Sequence, residues 1–228
     1  GWFGKNTNIL TRKYGSWVFL GQILTDMELE CDKSLTKSCG KCIACMPACP
    51  TGAIVAPYVL DSNKCISFHT IENRGIIPIE MRPLIGNWVF GCDICQDVCP
   101  KNVQTGLPKR IIFEVRPDLQ KLELIPILDM TEIEFRKRFA RTPILRTKLI
   151  GLKRNACIAL GNIGGETSAV ALLKALSQSS PLVRGHAAWG LGHIGSKKCS
   201  DGLERRYRVE NDDWVRKEIK LALDLCIK

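Results

Sequence analysis

The sequence predicts an α+β chain in two parts, a compact cysteine-rich module followed by an all-α array of helical repeats. Three observations carry that division. Nine of the twelve cysteines lie between Cys31 and Cys99. A thirteen-residue stretch starting at Leu152 recurs thirty-one residues later. Charge is balanced over residues 1–100, nine basic against nine acidic, whereas residues 101–160 hold thirteen basic against six acidic. The expected parts are residues 1–30, the end of a preceding domain; residues 31–110, the cysteine module; and residues 111–228, linker helices and repeats.

At 228 residues, 45% hydrophobic and 25% charged, the composition is that of a globular chain and excludes a disordered, collagen-like or coiled-coil protein. The longest apolar run, from Trp17 to Leu24, is interrupted by Gly21 and Gln22 and falls short of a membrane span. The opening Gly1-Trp2-Phe3-Gly4 has neither an initiator Met nor the charged start and apolar stretch of a signal peptide. A preceding segment and a cytoplasmic location are therefore expected.

The cysteines follow a pattern. The first block reads Cys39-x2-Cys42-x2-Cys45-x3-Cys49-Pro50. The second is Cys65 followed, after twenty-six residues, by Cys92-x2-Cys95-x3-Cys99-Pro100. Disulfides need an oxidising compartment, and cysteines three apart on a tight loop are poorly placed to pair far away. Zinc usually takes separated Cys-x2-Cys pairs, whereas thiolates at successive three-residue steps suit three corners of a cubane. The pattern points to two 4Fe-4S clusters in a ferredoxin-like module, with two zinc sites as the alternative. In two-cluster ferredoxins the Cys before Pro ligates the other cluster. One cluster is then expected on Cys39, Cys42, Cys45 and Cys99, the other on Cys65, Cys92, Cys95 and Cys49. Cys31, Cys157, Cys199 and Cys226 have no partners at ligand spacing and are expected to be small core residues.

From Thr131 onward apolar residues recur at helical spacing, interrupted at Pro143. The segment from Leu152 to Gly164 then superposes on that from Val183 to Gly195, with five of thirteen positions identical. A weaker third copy starts at Val215-Arg216. Each of the first two is a helix ended by Gly, and a further helix from Ser168 to Leu176 lies between them. Paired helices at a period near thirty are an α-solenoid of HEAT type, in which one helix face stays free for a partner. The net +7 of residues 101–160 favours phosphate contacts. Lys153 and Arg184 occupy equivalent repeat positions, and Arg146, Lys153, Arg154 and Arg184 are expected along one edge that follows an RNA backbone. His69, His186 and His193 stand apart from other ligand-type residues and read as hydrogen-bonded structural histidines.

Several blocks together resemble the epoxyqueuosine reductases, cobalamin-dependent iron-sulfur enzymes of transfer RNA modification. They are Gly1-Trp2-Phe3-Gly4-Lys5, Tyr14-Gly15-Ser16-Trp17-Val18-Phe19-Leu20-Gly21 and Cys49-Pro50-Thr51-Gly52-Ala53-Ile54. Leu60-Asp61, Cys65-Ile66-Ser67, Thr70-Ile71-Glu72, Gly91-Cys92-Asp93-Ile94-Cys95-Gln96-Asp97-Val98-Cys99-Pro100 and Arg154-Asn155-Ala156 continue the series. Phe68-His69 and Lys101 depart from the family pattern and touch no expected ligand.

The resemblance implies an N-terminal cobalamin-binding domain, a ferredoxin-like domain and a HEAT-like domain that helps to hold transfer RNA. This chain matches the C-terminal portion, so the family's general acid, an Asp, is expected before Gly1, and the fragment alone is expected to be inactive. Trp2, Lys5, Gly15, Ser16 and Asp93 are the implied corrin contacts. The implied reaction reduces epoxyqueuosine to queuosine at the wobble position of transfer RNA. Implied besides are an external electron donor such as a flavodoxin or ferredoxin system, no membrane, and a monomer when complete. A dicluster electron carrier with a docking solenoid is the alternative; it needs no RNA affinity and no corrin. A cobalamin reductive dehalogenase shares the cofactors but has no use for a basic helical array.

Overall fold

The structure is a computed structural model and describes residues 1–33, 35–103, 105, 116–119 and 121–226. The boundary expected at residues 110 and 111 lies outside the described residues. In chain order the elements begin with β1 (Trp2–Phe3), β2 (Ile9–Leu10), α1 (Cys45–Ala48), β3 (Ile54–Ala56), β4 (Val59–Leu60), α2 (Met81–Ile85) and α3 (Ile94–Asp97). There follow α4 (Leu124–Asp129), α5 (Glu132–Arg138), α6 (Lys148–Ile163), α7 (Gly165–Ala175), α8 (Pro181–Ile194), α9 (Lys197–Tyr207) and α10 (Asp213–Cys226). They form two compact units that interleave along the chain. Gly1–Cys65 combines with the segment beginning at Cys92, and Ile66–Gly91 combines with the segment beginning at Arg116.

The first unit is built of very short elements. β1 and β2 pair antiparallel, Trp2 opposite Leu10, across a turn in which Thr7 adopts φ 65°. β3 and β4 form a bulged hairpin. α1 and α3 carry Cys45 and Cys95 and lie against each other. Among its described residues the buried apolar side chains are Trp2, Leu10, Ala53 and Ile54. Cys31, expected in a core, is exposed, because residues 18–33 form no regular element that could bury it.

The second unit is the repeat array. α8 packs between α6 and α10, α7 covers α6 and α8, and α9 covers α8 and α10. Equivalent glycines make this layer possible. A Cβ on Gly161 would lie 2.7 Å from Gly190 Cα, and one on Gly192 would lie 2.6 Å from Ala222 Cα, so α6, α8 and α10 touch backbone to backbone. Gly164 and Gly195, at φ 73° and 70°, cap α6 and α8, as the sequence predicts. α7 begins at Gly165, three residues before the expected Ser168. α5 opens with a capping box between Thr131 and Glu134, which satisfies two of its free N–H groups. Ile127, Phe135, Phe139, Leu152, Leu172 and Ile219 are buried in one continuous core with Cys157 and Cys199, and Cys226 packs at its edge. Among the described residues no helix is long and apolar enough to cross a membrane.

Ile66–Gly91, the stretch between Cys65 and Cys92, belongs to this helical unit. It contains a π-helical turn, Phe68–Glu72, and α2. Buried Arg82 meets Glu218 of α10 through two hydrogen bonds of 2.7 and 2.8 Å. The Ile77 N–H donates to His186 Nε2 at 3.2 Å, while His186 Nδ1 lies 2.7 Å from the Leu182 carbonyl. His186 is therefore a neutral, structural histidine. Burial, and then Arg82, hold its pKa well below the ordinary value.

Candidate metal centre

All twelve thiols are free. The structure gathers eight of them in two sets. Burial raises the Cys45 pKa, and Cys39, Cys42 and Cys99 lie close enough to raise it further. Burial likewise raises that of Cys92, whose thiol neighbours are Cys65 and Cys49. Cys95 is pushed up to about 12, first by burial and then by Cys92, Cys65, Cys45 and Cys49. Bare thiols crowded in this way resist ionisation, whereas a cationic metal core takes them as thiolates and reverses the balance. Among the described residues no three Cys, His, Asp or Glu side chains converge as a single ion requires. Tetrahedral zinc with 2.3 Å bonds needs its sulfurs within about 3.8 Å of one another. A cubane spreads its four thiolates more widely, and two sets of four thiols match the donor count of two clusters.

Donors surround the sulfurs. The Lys5 backbone N–H points at Cys39 Sγ, 3.4 Å away, and Asn8 Nδ2 at Cys95 Sγ, 3.9 Å away. Asn6 Nδ2 donates to the Cys95 carbonyl at 3.1 Å. The β1–β2 turn thus reaches both cysteine blocks. Burial would raise the Cys49 thiol, yet the Thr51 hydroxyl at 3.4 Å and the Ala53 N–H at 3.3 Å outweigh it and lower its pKa. Hydrogen bonds to cluster sulfurs are one of the protein's levers on reduction potential. Asn6 and Asn8 carry no sequence signal beyond their nearness to a motif, and Thr51 none beyond its place in the block that starts at Cys49.

Of the five residues expected at a corrin, four have duties inside this unit. Lys5 Nζ donates to the carbonyls of Gly40 and Cys42 at 2.8 and 3.0 Å, which pins the first cysteine loop. Gly15 takes φ +56°, and a Cβ there would lie 1.9 Å from Asn102 Oδ1. The Ser16 hydroxyl donates to Gln96 and accepts from Asn102, and Gln96 donates to Asp93 at 2.6 Å. Trp2 differs. Its indole N–H is buried without a partner, the one such side-chain N or O atom among the described residues. An orphaned donor of this kind fits a bound acceptor.

The basic edge expected at Arg146, Lys153, Arg154 and Arg184 is not formed. Arg154, 1% exposed, donates to the carbonyls of His69, Asn73 and Gly75. Burial, followed by Arg74, lowers its pKa to about 10. Arg184 is clamped by both Glu210 carboxylate oxygens at 2.8 Å. Burial opposes the Glu210 charge, but Arg184, the Asp212 N–H and Arg206 overcome it and hold the carboxyl at about 2. Lys153 is mostly buried beside Gln178. Arg146 alone of the four is exposed, paired with Glu72. Repeat equivalence thus places Lys153 and Arg184 inside the unit, because the pattern marks positions that hold neighbouring loops.

Two family models match the chain, and the first of them spans Ile66–Gly91 as well as the cysteine blocks. Residues 38–102 match the 4Fe-4S double cluster binding domain, and residues 141–224 match HEAT repeats. The chain is 44% identical over 197 residues to an epoxyqueuosine reductase of Pseudomonas aeruginosa, covering 86% of this chain and 55% of that protein. It is 37% identical over 230 residues to one of Bacillus cereus, covering 99% and 59%. Among solved structures, epoxyqueuosine reductase with an epoxyqueuosine-modified tRNA-Tyr stem loop superposes with TM-score 0.94 at 34% identity, over all of this chain and 61% of that one. The Bacillus subtilis enzyme superposes with TM-score 0.93, also at 34% identity, over 99% and 60%. The chain spans 49–59% of the length of the curated relatives it matches. It carries a ferredoxin-like double-cluster domain and HEAT-like repeats, and over most of its own length it is a homologue of the epoxyqueuosine reductases.

Proposed function

We propose that this chain is the cluster-bearing, C-terminal part of a cobalamin-dependent epoxyqueuosine reductase that converts epoxyqueuosine to queuosine at the wobble position of transfer RNA. The observation that carries it is the pair of four-thiol sets inside a chain 37–44% identical to epoxyqueuosine reductases. One 4Fe-4S cluster would sit on Cys39, Cys42, Cys45 and Cys99, and the other on Cys65, Cys92, Cys95 and Cys49. Removing the epoxide oxygen as water takes two electrons and two protons and leaves a carbon–carbon double bond. Each cluster passes one electron at a time, from an external donor such as a flavodoxin or ferredoxin. A corrin cobalt, where bound, supplies the strong reductant or nucleophile.

The parts of this chain then have distinct tasks. The eight thiolates hold the relay, and Lys5, Asn8 and Thr51 donate to its sulfurs. Residues 1–30, which belong to the same compact unit as the cysteine blocks, lead from the cobalamin-binding domain in this reading. Apolar Phe19, Leu20, Ile23 and Leu24, all at least 75% exposed, suit a surface that another domain covers, and the Trp2 indole N–H is the proposed corrin contact. For RNA phosphates the exposed Lys137, Arg141 and Lys148 join Arg146 in place of the buried Lys153, Arg154 and Arg184. Thiols held as cluster ligands rather than disulfides suit a reducing, cytoplasmic compartment.

Deleting the coding sequence in its source cell should leave epoxyqueuosine in place of queuosine, measured by mass spectrometry of tRNA nucleosides. Returning the whole deleted coding sequence should restore queuosine, and the same sequence with Cys95→Ala should not. Normal queuosine in the deletion strain, with loss of electron transfer to another acceptor, would replace this reading by the dicluster carrier.

A further inference from the structure

The repeat array grips a segment of its own chain. Asn155 in α6, His186 in α8 and Glu218 in α10 occupy equivalent positions of the three repeat copies, and all are buried. Each directs its polar group at Ile66–Gly91. Asn155 Nδ2 donates to the carbonyls of Thr70 and Val89 at 2.8 and 2.9 Å. His186 receives the Ile77 N–H, and Glu218 receives the Arg82 guanidinium. Arg154, next to Asn155, adds three further carbonyls of the same segment. The face that a solenoid usually keeps for a partner is here filled from within.

The grip is tightest where the segment begins and ends. The Thr70 hydroxyl donates to the Ile66 carbonyl at 2.8 Å and accepts the Gly91 N–H at 2.9 Å. One side chain therefore ties together two residues twenty-five positions apart in the chain. Asn155 repeats the tie one rung further in, between Thr70 and Val89. Ile66 follows Cys65 and Gly91 precedes Cys92, so the closed base of the segment delivers two cysteines side by side. A helical Thr ordinarily donates to a carbonyl four residues back; accepting a distant N–H at the same time is what makes Thr70 a staple.

We propose that Thr70 and Asn155 are positioning residues for the cluster on Cys49, Cys65, Cys92 and Cys95, acting through the chain ends that lead directly into Cys65 and Cys92. This rests on the reading above that those four cysteines hold a cluster. Neither residue touches a thiol. Each acts by keeping the ends of Ile66–Gly91 together, and loss of that tie lets Cys65 drift from Cys92 while the set around Cys45 keeps all four of its thiols.

The whole chain is reconstituted anaerobically and analysed for iron, sulfide and the EPR spectrum after dithionite reduction. Wild type should hold about eight irons. Thr70→Val, which keeps the side-chain shape and removes the hydroxyl, should hold half as many, with unchanged helicity and a residual spectrum matching that of Cys92→Ala. Thr70→Ser, which retains the hydroxyl, should restore the full content. Asn155→Leu should behave as Thr70→Val does. Full iron content and both EPR signals in Thr70→Val would overturn the proposal while leaving the cluster reading intact. Stoichiometric zinc and no visible absorbance in wild type would overturn the cluster reading and this proposal with it.

Discussion

The two units stand for opposite ways of holding a chain together. The helical unit buries one continuous apolar core, from Ile127 to Ala222, and its inner helices meet at Gly161, Gly190 and Gly192. Among its described residues the cysteine unit buries four apolar side chains and has no helix longer than four residues. A module with so little core stays folded only with staples or metal. Its polar network of Ser16, Gln96 and Asn102 and its donors to sulfur are arranged around thiols that repel one another's charge. Clusters bound to its thiols would therefore also stabilise that unit, whereas the repeats have an apolar core of their own.

Removing the iron is expected to have the largest effect and to split the molecule along that line. After chelation, hydrogen exchange should lose its protection around α1, α3 and both hairpins, while α6, α8 and α10 keep theirs, because structural metal sites contribute folding free energy directly. Equal loss of protection in both units would erase the contrast.

A smaller effect is expected from acid, and it should fall on the helical unit. Burial, with Arg82 and Arg154, depresses the folded pKa of His186 below its unfolded value of about 6.5, and the hydrogen bonds to Leu182 and Ile77 only partly oppose this. Below about 6.5 the unfolded state thus binds the extra proton. Stability should be complete above that pH and fall by up to about 1.4 kcal/mol per pH unit below it. Glu218 and Arg82 face the same region and stay paired. Glu210, with a pKa of about 2, contributes its own loss only below about 4.5. Melting of the helical signal between pH 7.5 and 5.5 isolates His186, and an unchanged midpoint over that range would show that the ring carries no such linkage.

What was legible in the sequence follows the same contrast. Cysteine spacing and the thirty-one-residue repeat are local patterns, and both units can be read from them. The membership of Ile66–Gly91 is not local, because its partners Asn155, His186 and Glu218 lie far along the chain. A signal was nevertheless present. A polar residue recurs at one repeat position whose neighbours are mostly apolar or small, which marks a buried group with a fixed partner. Arg154 and Arg184 show the opposite error: a basic residue suggests surface, but a guanidinium with five donors can also be buried among carbonyls or against a carboxylate. The motifs of Lys5, Gly15 and Ser16 point to a cofactor, and the geometry gives each a local task that composition cannot reveal.

Crossed ligation of two clusters is the central claim, and Cys49→Ala tests it most directly. Cys49 stands four residues after Cys45 in the first block, yet its thiol lies with Cys65, Cys92 and Cys95. Anaerobically reconstituted wild type should hold about eight irons and eight sulfides, and Cys49→Ala about four of each. The EPR signal that survives in Cys49→Ala should match that of Cys92→Ala and differ from that of Cys42→Ala. A surviving signal that matches Cys42→Ala instead would place Cys49 on the cluster of its own block and contradict the crossed arrangement.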